Sequence, residues 1–252
     1  MNRVIIAGLA TVFTLTAAES ARADEPEGEG KHRFGSPGFI ISAERLLPLL
    51  SYESNKVTAP DGSTDTHSQT SIALMNNGPL GGPFGTLYNL PRLGFDWLPI
   101  ENLTVGGATW FYTQLSATDT FTPANGASKS TDLPKVTYWG IAPRVGYIFP
   151  INHMLSAWPR IGVEYQNVTY GSVNGSPSQS QSQFSLVADA MLVISPWNHF
   201  GFMVGPVVDV PITGKRDVQT TTGGAGGTTT QTTSVDSALF QVGLSAGMLG
   251  HF

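Results

Sequence analysis

From Phe39 onward, apolar side chains alternate with small, polar or charged ones. A period of two is the mark of a β-strand whose faces meet different surroundings. Around Trp139–Phe149, Trp139, Ile141, Pro143, Val145, Tyr147 and Phe149 share one face, while Tyr138, Gly140, Ala142, Arg144, Gly146 and Ile148 share the other. The same division sets Leu93, Phe95 and Trp97 against Arg92, Gly94 and Asp96, and Ile161, Val163 and Tyr165 against Arg160, Gly162 and Glu164. It recurs from Phe184 to Ile194 against Ser185, Val187 and Asp189, and from Phe200 to Val210 against Gly201, Met203, Gly205 and Asp209. Last, Phe240 to Phe252 opposes Gln241, Gly243, Ser245, Gly247 and His251. The less regular Phe39–Tyr52 and Leu103–Gln114 bring the strands to eight, with Gly106-Gly107 read as a bulge that disturbs the second of them.

The connections alternate in length. Three are short and begin with proline: Pro99–Asn102, Pro150–His153 and Pro196–His199. Four are long, over 53–85, 116–133, 169–182 and 214–235. Short turns on one rim, long loops on the other and alternating strands of about ten residues between them predict a transmembrane β-barrel of the outer-membrane type.

Composition sharpens this picture. Only 12% of residues are charged and mean hydropathy is zero, and beyond the N-terminus no apolar run reaches the roughly 20 residues of a membrane helix. The less apolar parity is mostly glycine, alanine and serine, which suits the crowded inside of a closed barrel better than a solvent-facing sheet surface. The absence of cysteine excludes disulfides, thiolate metal sites and cysteine nucleophiles. A net charge of -5 leaves no footprint for nucleic acid.

At the start, Met1-Asn2-Arg3, an apolar run from Val4 to Ala18 and Ala21-Arg22-Ala23 read as a cleavable export signal over residues 1–23. Residues 24–38 are acidic and rich in glycine and proline, so the expectation there is a flexible tail on the short-turn side. The barrel takes residues 39–252. Trp97, Phe149, Trp197, Phe200 and Phe252 fall near the short-turn rim, and Tyr88, Trp139, Tyr165 and Tyr170 near the loop rim, as two aromatic belts would.

In these features the chain resembles the eight-stranded outer-membrane barrels of Gram-negative bacteria, the group that includes the transmembrane domain of outer membrane protein A and the opacity-type proteins. The resemblance extends to the C-terminal assembly signal of such barrels. Ser245, Gly247 and Phe252 fill three of its positions, while Gly250 stands where a hydrophobic residue is usual. It implies an all-β, eight-stranded antiparallel up-and-down barrel in the outer membrane. The partners it implies are outer-membrane lipids and the barrel assembly machinery, engaged through the last strand.

Candidate chemistry lies in the inward charges Glu44, Arg92, Asp96, Arg144, Arg160, Glu164, Asp189 and Asp209. Residues four apart on a strand are about 13 Å apart, so Arg92 cannot pair with Asp96, nor Arg160 with Glu164. Pairing must run between strands. The expectation is a salt-bridge network filling the lumen, and the alternative is a constriction in a narrow porin-like channel for small solutes. Gly243-Leu244-Ser245-Ala246-Gly247 spells G-x-S-x-G, but no helix follows and His251 lies six positions along the same strand, so no serine-hydrolase site is expected. No other catalytic, metal or cofactor motif appears, and the expected role is non-enzymatic: structural, or surface interaction through the four long loops with an extracellular ligand that the sequence does not name.

Overall fold

The computed structural model describes residues 34–58, 62, 64–71, 90–113, 118–121, 129–132, 134–172, 178–197, 199–224 and 227–252. The expected export signal, Tyr88 and most of the first long connection lie outside these residues. The described chain forms β1 (Gly38–Thr58), β2 (Thr64–Ser71), β3 (Arg92–Ile100), β4 (Leu103–Thr113), β5 (Thr118–Phe121), β6 (Lys129–Asp132), β7 (Val136–Tyr147), β8 (Phe149–Pro150), β9 (Leu155–Tyr170), β10 (Gln179–Trp197), β11 (Phe200–Gly224) and β12 (Gly227–His251). Eight of these pair antiparallel in the order β1-β3-β4-β7-β9-β10-β11-β12, and β12 returns to β1. The sheet is a closed eight-stranded barrel. At the turn end the closure is sealed by reciprocal backbone hydrogen bonds between Phe39 and Phe252, each 2.9 Å.

Burial follows the alternation in the sequence and inverts what a water-soluble protein shows. On β3, Leu93, Phe95 and Trp97 are 61%, 55% and 56% exposed, whereas Arg92 and Asp96 are buried. The apolar face therefore points outward all round the ring, and the charged face points in. Such a surface is stable only in lipid, where a closed ladder pairs the backbone groups of the spanning strands with one another.

Within the described residues, much of the long connections is paired strand. β11 and β12 stay paired far beyond the barrel wall, to Gly224↔Gly227, so most of residues 214–235 is an extended hairpin. β1 continues to Thr58 and pairs with β2, β9 and β10 remain in register to Tyr170↔Gln179, and β5 and β6 form a two-stranded sheet of their own. Threonine is β-branched and fits a strand as readily as a loop; Ser/Thr-rich composition alone did not separate the two.

Phe34 and Gly35, near the end of the expected flexible tail, are buried against the barrel. Gly35 accepts a 2.8 Å hydrogen bond from the backbone N–H of Asn102. Its φ of +106° and an Asn102 oxygen only 2.3 Å from where a Cβ would stand require glycine there. This turn inserts Phe34 into the turn-end mouth, edge-on to Trp158 at 5.9 Å.

Register also relocates the bulge. Asp96, Gly106 and Arg144 stand opposite one another across β3, β4 and β7 without a shift, so Gly106-Gly107 is regular strand. A bulge beside the charge layer lies instead in β1, which uses four steps from Ala43 to Leu47 where β12 uses two from Met248 to Ala246. Arg45 occupies this bulge with φ +53°.

Inward glycines make room for large side chains of neighbouring strands. A Cβ on Gly140 would lie 2.1 Å from the Trp110 ring. One on Gly94 would fall within 2.3–2.8 Å of Ser42, Glu44 and Arg144. Gly140→Val should therefore destabilise the folded barrel by about 1–3 kcal/mol or more. Gly171→Ala, where a Cβ meets only ordinary contacts at 3.5 Å and beyond, should stay within about 0.5 kcal/mol. Urea unfolding followed by the gel-mobility shift on boiling measures both.

Candidate functional site

The lumen is built in three storeys. Nearest the turns lies an apolar floor of Phe34, Ile40, Leu98, Ile148, Trp158, Met191, Val193, Met203, Val207 and Leu249. Nearest the loops lies an aromatic group of Leu90, Trp110, Tyr138, Ala142, Val168 and Leu239, with Tyr112, Val136 and Tyr170 against it. Tyr170, assigned from sequence to the outer belt, turns inward, and its hydroxyl hydrogen-bonds that of Tyr138 at 3.1 Å. An inward ring near the rim satisfies its polar tip on a second tyrosine instead of at the lipid interface.

Between floor and cap lies the charge layer. Arg144 is its hub: its guanidinium donates to both carboxylate oxygens of Glu44 at 2.8 and 2.6 Å, and to both of Asp96 at 3.0 and 2.5 Å. Such double forks are open to arginine and closed to lysine. The side chains of Arg144 and Asp96 meet across Gly106, whose missing Cβ would otherwise stand 2.8 Å from the Asp96 oxygen. Arg160 bonds Glu44 at 2.8 Å and Asp189, its direct cross-strand neighbour, at 2.6 Å. Ser42 donates to Glu44 at 2.7 Å.

A second group contains Arg92, 2.6 Å from Glu164, and Asp209, which accepts both of its bonds from Arg45 at 3.0 Å. Arg92 also lies 3.8 Å from Asp209. All eight charges singled out from sequence are thus brought together, and neither Arg92 with Asp96 nor Arg160 with Glu164 forms an ion pair.

Sequence reasoning missed Arg45. Strict alternation puts it on the opposite face from Glu44, but the β1 bulge turns both inward, and each is buried. The layer therefore holds four guanidiniums against five carboxylates. The only hint in the sequence was the irregular parity of that first strand.

Tryptophans bound the layer. The Arg92 guanidinium lies 3.9 Å from the centre of the Trp110 ring on the loop side, and that of Arg160 lies 4.3 Å from Trp158 on the turn side. These cation–π contacts continue the polar network into the apolar storeys. Among the layer's side chains lies a small cavity bordered by Glu44, Arg45, Arg92, Arg144, Arg160 and Asp189, with space for roughly one or two waters.

No protein-family model matches the chain, and no curated protein does. Among solved structures, the outer membrane protein OprG of Pseudomonas aeruginosa is 12% identical with a TM-score of 0.50, over 88% of this chain and 97% of that one. The fold is that of the small outer-membrane β-barrels. The outer-membrane protease OmpT of Escherichia coli is 9% identical with a TM-score of 0.40, covering 85% of this chain and 97% of its own. Ail, the attachment invasion locus protein of Yersinia pestis, is 15% identical with a TM-score of 0.32, covering 86% and 99%.

Of the residues matched to the assembly signal, Ser245 is buried in β12, Gly247 packs beside the β1 bulge, and Phe252 is exposed and stacked on Phe39 at 5.5 Å. Ser245 lies mid-strand inside the wall, so the G-x-S-x-G string forms no nucleophile elbow. Among the described residues no group of three or more His, Asp or Glu side chains is arranged to hold a metal.

Removing the hub of the charge layer has a defined cost. Arg144→Ala would leave Glu44 and Asp96 buried and facing each other without their shared fork, and should destabilise the barrel by about 3–5 kcal/mol. Arg144→Lys should recover only part of this, because one ammonium cannot make both forks. Urea midpoints of the two variants against the parent check the order.

Proposed function

We propose that this protein is a closed, non-enzymatic outer-membrane barrel that acts by displaying its hairpins at the cell surface. Support for the closed state comes from one observation above the others: the charge layer spans the lumen between the apolar floor and the aromatic cap, and the space within it suits water and not a solute. An open channel of this size needs a continuous polar path. Here buried Trp158 and Phe34 occupy the lumen on the turn side, and buried Tyr138 and Trp110 occupy part of it on the loop side.

In this reading the lumen is an anchor, and function moves to the β1–β2, β5–β6, β9–β10 and β11–β12 hairpins. A rigid barrel holding paired ribbons above the membrane presents more backbone and side-chain surface than loose loops of the same length. The proposed partners are the outer-membrane lipids around the wall, the barrel assembly machinery acting on β12, and an extracellular ligand at the hairpins.

The test is conductance of the refolded protein in a planar bilayer, with folding established by gel mobility. A folded and electrically silent barrel is expected. Discrete openings would favour the porin-like reading and make Arg92, Arg144 and Arg160 its constriction.

A further inference from the structure

The hairpins differ in how their strand edges are guarded. An unpaired edge offers its N–H and C=O groups to any passing chain, and charges, prolines or bulges along it prevent this. β2 carries Asp65 and His67, and the β5–β6 sheet carries Asp119, Lys129 and Asp132. The β11–β12 hairpin carries Lys215, Arg216, Asp217 and Asp236 at its base, but from Val218 to Val235 it holds no charge and no proline. Its register runs from Lys215↔Asp236 to Gly224↔Gly227 without a shift, so no bulge blunts it.

This stretch also stands beyond its neighbours. β1 leaves β12 at Thr58↔Asp236, and β10 leaves β11 at Gln179↔Val218. Past these points one backbone bond, from Gln219 to Ser178 at 3.3 Å, reaches the hairpin from outside, and no described strand pairs with its outer edges. On β12 the open edge is residues 227–235, roughly 30 Å of strand. A two-stranded ribbon alone in water is only marginally stable, and further strands beside it supply the stability it lacks.

The sequence of that edge identifies what pairs with it. Thr228-Thr229-Thr230-Gln231-Thr232-Thr233-Ser234 reads almost the same in both directions about Gln231, which is also the central residue of 227–235. A second copy laid antiparallel, with a twofold axis at Gln231, sets Gln231 against Gln231, Thr230 against Thr232, Thr229 against Thr233 and Thr228 against Ser234. Gly227 of each copy then reaches Val235 of the other, so the pairing uses the open edge from end to end. Thr–Thr and Thr–Ser pairs are favourable cross-strand neighbours, and no charge meets a like charge. Self-complementarity of this kind is what a twofold contact between identical chains requires.

We propose that two molecules join through the β12 edges of this hairpin, antiparallel about Gln231, to make one four-stranded sheet. Antiparallel strands put the two barrels at opposite ends of that sheet, so the partner is a second copy of this chain in a facing membrane. The proposal rests on the reading of the hairpins as surface-displayed, and deepens it by naming the partner and the residues that meet it.

The chain has no cysteine, so one introduced thiol reports one position. Gln231→Cys and Val235→Cys variants would be placed one barrel to a lipid nanodisc, with folding established by the gel-mobility shift, and mildly oxidised. In the proposed pair the two Cα atoms at position 231 face each other within disulfide reach, whereas those at position 235 are eight residues apart along the sheet, about 26 Å. Gln231→Cys should cross-link between discs at least tenfold faster than Val235→Cys, and Gln231→Lys, which sets two ammoniums face to face, should hold the discs apart in sedimentation where the parent pairs them. Equal cross-linking at both positions would mean parallel pairing or random collision, and no cross-linking at either would mean no pairing; each overturns the proposal. Such a failure in a folded, electrically silent barrel leaves the closed-barrel reading standing. Channel openings in a planar bilayer by a protein that still cross-links at position 231 would do the reverse.

Discussion

A barrel closed from eight strands encloses a space that its own side chains must fill, and here the filling turns on the double fork of Arg144 to Glu44 and Asp96. Five carboxylates and four guanidiniums buried together would be unstable in any loose arrangement, because removing an ion from water costs several kcal/mol unless partners replace its hydration. The strands supply those partners by register. Asp96, Gly106 and Arg144 align across three strands, Arg160 faces Asp189 across two, and the β1 bulge adds Glu44 and Arg45 from consecutive positions. A one-residue slip at any of these seams would turn a charge onto the lipid face. The network is therefore tied to the choice of register as well as to the filling of the lumen.

The glycines belong to the same solution. Arginine and tryptophan need volume inside a narrow ring, and that volume comes from missing Cβ atoms on the neighbouring strand: Gly94 beside Glu44 and Arg144, Gly106 beside Asp96, Gly140 beside Trp110, and Gly146 beside Arg160 and Trp158. The high glycine content, ordinarily a sign of loops, is here a record of close packing between a large inward side chain and the backbone opposite.

Much of this was legible in the chain because alternation is a local signal and lipid makes it strict. The outward and inward faces of β3, β7, β9, β10, β11 and β12 are legible in sequence parity alone. Parity failed where the backbone departs from a regular strand. Nothing in Glu44-Arg45 distinguishes a bulge from a pleat, so parity alone sends Arg45 outward, and the pair Gly106-Gly107 imitates a bulge that β1 holds instead. The place of Phe34 in the floor is hidden for another reason: a single aromatic in a charged, Gly-rich tail has no periodicity to report. The extended hairpins escaped because Ser/Thr-rich segments suit both loops and ribbons, and only pairing across the hairpin decides between them.

If the charge layer closes the lumen, its guanidinium protons are shielded from bulk water. The direct measurement is solvent exchange of the arginine Nε–H signals by NMR on the folded barrel in lipid. Slowly exchanging signals are expected for Arg144 and Arg160, far slower than for an exposed arginine. Exchange at the rate of a freely solvated side chain would mean a water-filled lumen and would contradict the closed, salt-bridged interior.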